Sequence, residues 1–337
     1  MARSDITIDL GALRRNVRTL LHAADGSALW AVVKASGYGH GAADCAGAAL
    51  DAGATALCVA TVREALELRG SFPETRILVM GPADDVRAAG EAGLELVVSG
   101  GRIPPGVPVH LKLDTGMGRW GLARLPELPA NVVGLMTHLA TADTDAVFAR
   151  EQVERFAEAT ASHANLVRHV ANSAAALCLP ESRFDAVRCG IALYGLSPVG
   201  RDPAADGLEP VLSWTSELAQ VKQLAAGEST GYGRRLVAAA DAWIGIVPVG
   251  YADGFRRDMT GTEVLVDDER RPVVGTVSMD ALAVSLRREL PVGTPVTLVG
   301  GGVLLEEHAR VADTINYELA TGINSSPARA RRMVRDA

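Results

Sequence analysis

Leu29-Trp-Ala-Val-Val-Lys34 is five apolar residues in a row followed by a lysine. A strand with one wet face would alternate apolar and polar residues, so an unbroken run suits a parallel strand covered on both faces. Upstream, Ile6-Thr-Ile-Asp-Leu10 reads as strand-like, and Asp9 can cap a helix whose Leu13, Val17, Leu20 and Leu21 share one face. Downstream, further runs lie at 56–60, 77–80, 94–99, 108–114, 131–138, 166–172 and 186–190. Helical patterns separate most of them, clearest at 61–69 and 147–164. About eight strand–helix units result, the count that closes a (β/α)8 barrel.

Past Gly195 the texture changes. A loop-like stretch at 197–210 leads into strand patterns at 213–224, 243–249, 263–266, 272–277, 281–286 and 295–299. Gly227-Glu228, Asp267-Asp268 and Gly300-Gly-Gly302 supply turns, and one helix at 309–320 closes the region. The expected architecture is α/β: residues 1–208 form the barrel and residues 209–337 a mostly β domain. There is no internal repeat or low-complexity tract.

Composition narrows the function. With 337 residues, 48% of them hydrophobic, the chain can bury a large core. A net charge of −7 without a basic run argues against nucleic acid. Met1-Ala-Arg-Ser-Asp5 opens no apolar leader, and no segment is long enough to cross a bilayer, so a cytoplasmic protein with no membrane partner is expected. Cys45, Cys58, Cys178 and Cys189 form no C-x-x-C pair and read as buried thiols; the seven histidines lack metal-ligand spacing. No metal is expected.

In a barrel, chemistry gathers at the C-terminal ends of the strands. Lys34 ends the first strand, Lys112 and Asp114 the fifth, His138 the sixth, Asn172 the seventh and Arg188 the eighth. A lysine in such surroundings is costly to desolvate unless its pKa falls or it is bonded covalently, and a neutral amine attacks aldehydes. A lysine snorkelling to the surface is the plain alternative. Ser173 follows the seventh strand and Gly190-Ile191 the eighth, where barrels commonly bind phosphate. Singly these are an N-cap serine and a glycine turn; with an amine nucleophile nearby they point to a phosphorylated aldehyde cofactor. Gly37-Tyr-Gly-His-Gly41 is no dinucleotide fingerprint, because its third glycine is misplaced and no ribose-binding acid follows.

Val32-Val-Lys-Ala-Ser-Gly-Tyr-Gly-His-Gly41 resembles the pyridoxal-phosphate attachment motif of the alanine racemase family. Lys112-Leu-Asp-Thr-Gly-Met-Gly-Arg119, Thr137-His-Leu-Ala-Thr-Ala-Asp143, Asn172-Ser-Ala-Ala175 and Val187-Arg-Cys-Gly-Ile-Ala-Leu-Tyr-Gly195 follow in the family's order. So do Gly231-Tyr-Gly233, Val249-Gly-Tyr-Ala-Asp-Gly254, Ser278-Met-Asp280 and Ile315-Asn-Tyr-Glu318, covering essentially the whole chain. The resemblance implies a fold-type III enzyme, a homodimer with shared active sites, acting on a small-molecule amino acid and interconverting L- and D-alanine as a peptidoglycan precursor.

By that resemblance Lys34 carries pyridoxal 5'-phosphate. Tyr38, Ser173, Gly190, Ile191 and Tyr317 hold its phosphate, and Arg119 reaches its phenolic oxygen and the substrate carboxylate. Lys112, often carbamylated in the family, would hold Arg119 in place. Arg188 would face the ring nitrogen; a guanidinium only donates, so the nitrogen stays unprotonated and reprotonation at Cα wins over transamination. An arginine paired with Asp185 is its plain alternative. Lys34 and Tyr232, the latter from the partner subunit, would move the Cα proton on opposite faces, with His138, Arg188 and His169 as a supporting network. Met279 would bind the substrate carboxylate, and Tyr251, Tyr317 and Asp143 would narrow the entrance. Three departures stand out. Ser36 replaces the family's Asn or Asp, Ser278 its common cysteine, and Ser326-Pro-Ala-Arg329 its Arg-Val-Pro-Arg. Three other functions compete: a racemase of broader or serine specificity, a barrel-type decarboxylase, and a non-enzymatic cofactor-carrying barrel protein. Arg188 argues against the decarboxylase, whose ring partner is typically glutamate. The β domain, Tyr232 and Met279 argue against the barrel-only protein.

Overall fold

A computed structural model describes residues 3–336. Met1, Ala2 and Ala337, the outer limits of the two expected domains and part of the opening read for a leader, lie outside the described residues. The chain divides into two compact units, Ala12–Glu209 and Met1–Gly11 with Pro210–Ala337.

The first unit holds a closed barrel of eight parallel strands in sequence order. These are Ala28–Val32, Ala56–Val59, Arg76–Val79, Glu95–Val98, Val109–Lys112, Val132–Met136, Val167–His169 and Ala186–Cys189. Each lies inside or within a residue of an apolar run, and the last pairs with the first through Trp30 and Arg188. Leu29, Ala31, Leu57, Ile77, Leu78 and Leu111 are fully buried, as two-sided cover requires. Helix starts are fixed by side chains. Thr61 and Glu64 form a reciprocal cap on Val62–Arg69, and Asp145 accepts from the Val147 and Phe148 N–H groups at the start of Ala146–Thr160. The connection between the fifth and sixth strands, 113–131, carries no helix; it is a long loop at the barrel's C-terminal end.

The second unit is built on a nine-stranded sheet in the order Gln220–Leu224, Ala242–Val247, Leu282–Leu286, Glu269–Val274, Glu263–Val266, Pro295–Val299, Leu212–Glu217, Asp5–Asp9 and Arg331–Arg335. Ser229–Thr230 and Leu236–Val237 make a separate two-stranded ribbon. The opening strand, expected within the barrel portion 1–208, belongs here instead. Ile6 and Ile8 point into the sheet's buried face, Thr7 pairs with Ser213, and the alternating Ile6-Thr-Ile8 lacks the unbroken apolar run of a barrel strand. The stretch 213–224 is two strands. At Leu218 the chain changes partners, pairing with Pro295–Val299 before the break and Ala242–Val247 after it. The closing helix is also two, Leu305–Val311 and Asn316–Gly322, separated by a turn in which Asp313 has φ of 49°. Arg331–Arg335 went unread because its arginines resemble a solvated tail; it is an edge strand, where charge is tolerated.

Cys45, Cys58 and Cys189 are buried, whereas Cys178, expected to be buried, is exposed at the end of the short helix Ser173–Cys178. No helix among the described residues is long and apolar enough to cross a membrane.

Candidate active site

Lys34 stands just past the first barrel strand, partly buried. Burial, then the neighbouring Arg119 cation, lowers its pKa from the ordinary lysine value, increasing the neutral fraction of its amine. The chain after it is unusual. Ala35, Ser36 and Tyr38 all adopt left-handed backbone, with φ of 51°, 52° and 53°. Glu64 braces this turn, accepting from Ala35 N–H through Oε1 (2.7 Å) and from Ala60 N–H through Oε2 (2.7 Å). His40 Nδ1 lies 2.9 Å from the Tyr38 carbonyl, so the ring pins the turn from its far end.

Tyr38 is buried against Tyr194, ring centroids 5.1 Å apart, and Tyr194 Oη donates to the Val32 carbonyl (3.0 Å). This packing brings the Tyr38 phenol to the turn after the eighth strand. A Cβ at Gly190 would lie 2.4 Å from Tyr38 Oη, so only glycine leaves room. Ser173 Oγ accepts from Gly190 N–H (2.9 Å) and Ala192 N–H (3.4 Å), and Ile191 opens the adjoining helical turn. A phenol, a hydroxyl and two backbone N–H groups of one turn thus meet at one point, a set suited to an anion.

Lys112 is buried near two cations. Its proton affinity falls to about 8, first through burial, then through Arg119 and Arg188. Arg119 is exposed on the long loop, whose start is shaped by Asp114 Oδ1 accepting from Gly116 N–H (3.0 Å) and Gly118 N–H (3.1 Å). Trp120, unremarked in the sequence, presents its ring to both cations, 5.9 Å from Lys112 Nζ and 5.3 Å from Arg119 Cζ.

Arg188 is almost wholly buried, and burial brings its pKa down to about 10. Nη1 donates to His169 Nδ1 (2.7 Å) and the His169 carbonyl (2.9 Å); Nη2 donates to the Thr137 (2.9 Å) and Val170 (3.0 Å) carbonyls and approaches His138 Nδ1 (3.3 Å). These bonds use both terminal nitrogens and leave Nε out of them. Asp185 instead engages Arg168, accepting its N–H at 2.7 Å, so the plain alternative of an Arg188–Asp185 pair is not what forms. Burial, followed by Arg188, Lys112, Arg119 and Lys34, pushes His138 down to about 3, and His169 falls well below the ordinary histidine value by burial and Arg188. Both rings are neutral at physiological pH. Since arginine only donates, His138 Nδ1 accepts and its proton sits on Nε2.

The barrel unit therefore brings together Lys34, Tyr38, Lys112, Arg119, His138, His169, Ser173, Arg188, Gly190 and Ile191. Asp143, also in this unit, is exposed in a turn closed by Thr144 N–H on the Thr141 carbonyl (3.1 Å). The others lie in the β unit. Tyr232 is 70% exposed, in the turn between the two ribbon strands, its carbonyl held by Thr276 Oγ1 (2.8 Å). Met279 and Tyr251 are exposed on neighbouring loops joined by Tyr251 N–H to Ser278 O (3.0 Å) and Ala252 N–H to Met279 O (3.0 Å). Tyr317 is partly buried in the helix Asn316–Gly322. Arg329, all that remains of the family's arginine pair, bridges these loops, donating to Asp253 (2.7 Å) and Asp280 (2.9 Å).

Sequence reasoning missed Glu64, Trp120, and two polar residues inside barrel strands, Glu95 and His110. The signal for the last two was present: a charged or titratable side chain within an apolar strand run, the rule that picked out Arg188.

Comparison with known proteins finds relatives along almost the whole chain. A family model described as the alanine racemase N-terminal domain matches residues 8–198, and the C-terminal domain model of the same family matches residues 211–332. The chain is 40% identical to an alanine racemase of Lactiplantibacillus plantarum over 95% of each chain. It is 40% identical to alanine racemase 1 of Bacillus subtilis, covering 94% of this chain and 90% of that one. Among solved structures, the biosynthetic alanine racemase of Pseudomonas aeruginosa superposes with a TM-score of 0.92 at 36% identity, covering 99% of this chain and 100% of that one. The Bacillus anthracis alanine racemase with bound L-Ala-P superposes at 0.85 and 33% identity, covering 99% and 95%.

Proposed function

The chain belongs to the alanine racemase family, and from that premise we propose that it racemises alanine with two residues on opposite faces of the substrate, Lys34 from one subunit and Tyr232 from its partner in a homodimer. Enzymes of this family depend on pyridoxal phosphate, and the residues present fit that group. The Gly190 cradle against Tyr38, with Ser173 Oγ on its N–H, suits the phosphate, and the lowered Lys34 amine suits the aldehyde. Tyr317 would complete the phosphate site, and Arg119 would take the phenolic oxygen. When bound, the cofactor draws electrons from the Cα–H bond of the substrate amine and makes that proton acidic.

The protein's part is to bind, orient and move that proton. Lys34 Nζ exchanges it on the D-alanine face and Tyr232 Oη on the L-alanine face. Arg119 and the Met279 backbone N–H hold the substrate carboxylate. Neutral His138, offering Nε2–H, supports the developing phenolate, with Arg188 fixing its orientation. Lys112, as a carbamate, would hold Arg119; as a free amine it lies beside that cation, which with burial outweighs the Asp114 carboxylate and lowers its pKa. Tyr251, Tyr317 and Asp143 limit the side chain to little more than a methyl, which favours alanine over serine.

The observation that carries this reading is Arg188: a donor-only cation buried at the end of the eighth strand, whose terminal nitrogens meet only neutral acceptors. It keeps proton return directed to Cα. Complementation tests the shared site. Lys34→Ala and Tyr232→Phe proteins should each be inactive in chiral analysis of alanine. Once subunits are exchanged between them, activity should return, because one site per mixed dimer is intact. Persistent inactivity in verified mixed dimers would place Tyr232 in its own subunit's site, and an active Tyr232→Phe homodimer would place it outside the mechanism.

A further inference from the structure

A line of hydrogen bonds crosses the barrel interior from its N-terminal rim to Arg188. Arg76 Nε donates to Glu95 Oε1 (2.9 Å); Glu95 Oε2 meets His110 Nε2 (2.9 Å); His110 Nδ1 meets His169 Nε2 (2.8 Å); and His169 Nδ1 meets Arg188 Nη1 (2.7 Å). The five groups stand on five different strands, and both imidazoles are fully buried. Trp30 packs on both rings, centroids 5.7 Å from His110 and 4.6 Å from His169. The sixth strand is bare where the rings meet, for a Cβ at Gly134 would fall 2.1 Å from His110 Nδ1. The space is therefore reserved for this contact.

The ends of the line have fixed roles. A guanidinium only donates and an ionised carboxylate only accepts; for every contact between them to be a bond, each imidazole must accept at one nitrogen and donate at the other. Only one arrangement satisfies every bond: Arg188 to His169 Nδ1, His169 Nε2–H to His110 Nδ1, His110 Nε2–H to Glu95. The reverse arrangement would set N–H against N–H at Arg188 and lone pair against carboxylate at Glu95. We propose that Glu95 is a positioning residue for Arg188: from the opposite rim it terminates a one-way hydrogen-bond chain that keeps His169 an acceptor toward the guanidinium. Without that terminal acceptor, the buried His110 donor is stranded, and the line can recover only by reversing or loosening at Arg188. The effect on the reaction rests on the reading that Arg188 faces the cofactor ring; the chain itself does not.

The test uses the cofactor-loaded enzyme labelled with nitrogen-15 in histidine, whose long-range proton–nitrogen spectra distinguish the two tautomers. Wild type should show His110 and His169 each as a single Nε2–H species. Glu95→Gln keeps an acceptor, because its amide can turn and the rim-exposed Arg76 can swing into water; it should retain both tautomers, and half-transamination within about twofold of wild type. Glu95→Leu should give mixed tautomers and raise pyridoxamine phosphate formation per turnover on the order of tenfold, the scale of one hydrogen bond to a charged group. An unchanged histidine spectrum or an unchanged partition in Glu95→Leu, or Glu95→Gln behaving as Glu95→Leu does, overturns the proposal. Should Glu95→Leu fail to fold, the wild-type spectrum still decides, because an Nδ1–H species at either ring is incompatible with the chain. Arg188→Glu separates the two readings: no rise in its transamination would fault the placement of Arg188 at the ring, while the histidine spectrum judges the chain alone.

Discussion

Ser36 sits in left-handed backbone beside the lysine, at φ of 52°, where a Cβ-bearing residue meets its own carbonyl. Asn and Asp tolerate that region because their short side chains can bond locally, which gives a physical reason for the family's usual choice at this position. Ser36→Asn should therefore stabilise the protein by on the order of 1 kcal/mol, seen as a higher midpoint in thermal unfolding. A lower midpoint would mean that the serine hydroxyl itself supports the turn. Lys34 and Arg188 were legible because a cation next to a doubly covered strand demands an explanation. Glu95 and His110 demanded the same one, but they sit away from the C-terminal ends where a barrel's chemistry is sought. Ser36 was legible as a departure; its backbone strain was not, since the left-handed turn is imposed by Glu64 and His40 rather than by any turn signal of its own.

At the scale of elements, the turn after the eighth strand is shaped by what it excludes. Gly190→Ala would force its methyl into the Tyr38 phenol, displacing either the ring or the backbone donors that rest on Ser173. Overpacking of this kind costs ~1–3 kcal/mol, so pyridoxal phosphate should bind roughly ten- to hundredfold more weakly, measured by absorbance titration of the apoenzyme. Unaltered affinity would remove Gly190 from the phosphate cradle. The eight barrel strands could be read because each announces itself by its own apolar run. The breaks at Leu218 and Asp313 could not. A strand that changes partners keeps its residue pattern through the change, and two short helices with apolar faces in register look like one.

For the whole molecule, buried neutral histidines tie stability to pH. His138 is held down to about 3, and His169 well below its ordinary value of 6.5, chiefly by burial. Unfolded, both bind a proton near pH 6.5; folded, neither does at that pH. Below 6.5 the unfolded state therefore holds more protons, and the stability these groups supply above that point is lost as pH falls. His169, fully buried, should make stability fall as pH drops below 6.5, by at most about 1.4 kcal/mol per pH unit, the limit for one proton. Denaturant unfolding of wild type and His169→Gln across that range checks the slope, and equal slopes would show that His169 takes up its proton without unfolding. The two-part organisation was legible from the change of texture past Gly195, but the membership of the first strand was not, because its partners lie some two hundred and more than three hundred residues away.

That opening strand, Asp5–Asp9, lies between Leu212–Glu217 and Arg331–Arg335, with Arg331 N–H on the Ser4 carbonyl (2.9 Å). On the ribosome it therefore emerges long before either neighbour and is among the last segments to be seated. Its two isoleucines must stay unpaired while the entire barrel is translated, and its second edge can be sealed only after Arg331–Arg335 has been made. A chain released early can own a finished barrel and still trail an orphaned β edge.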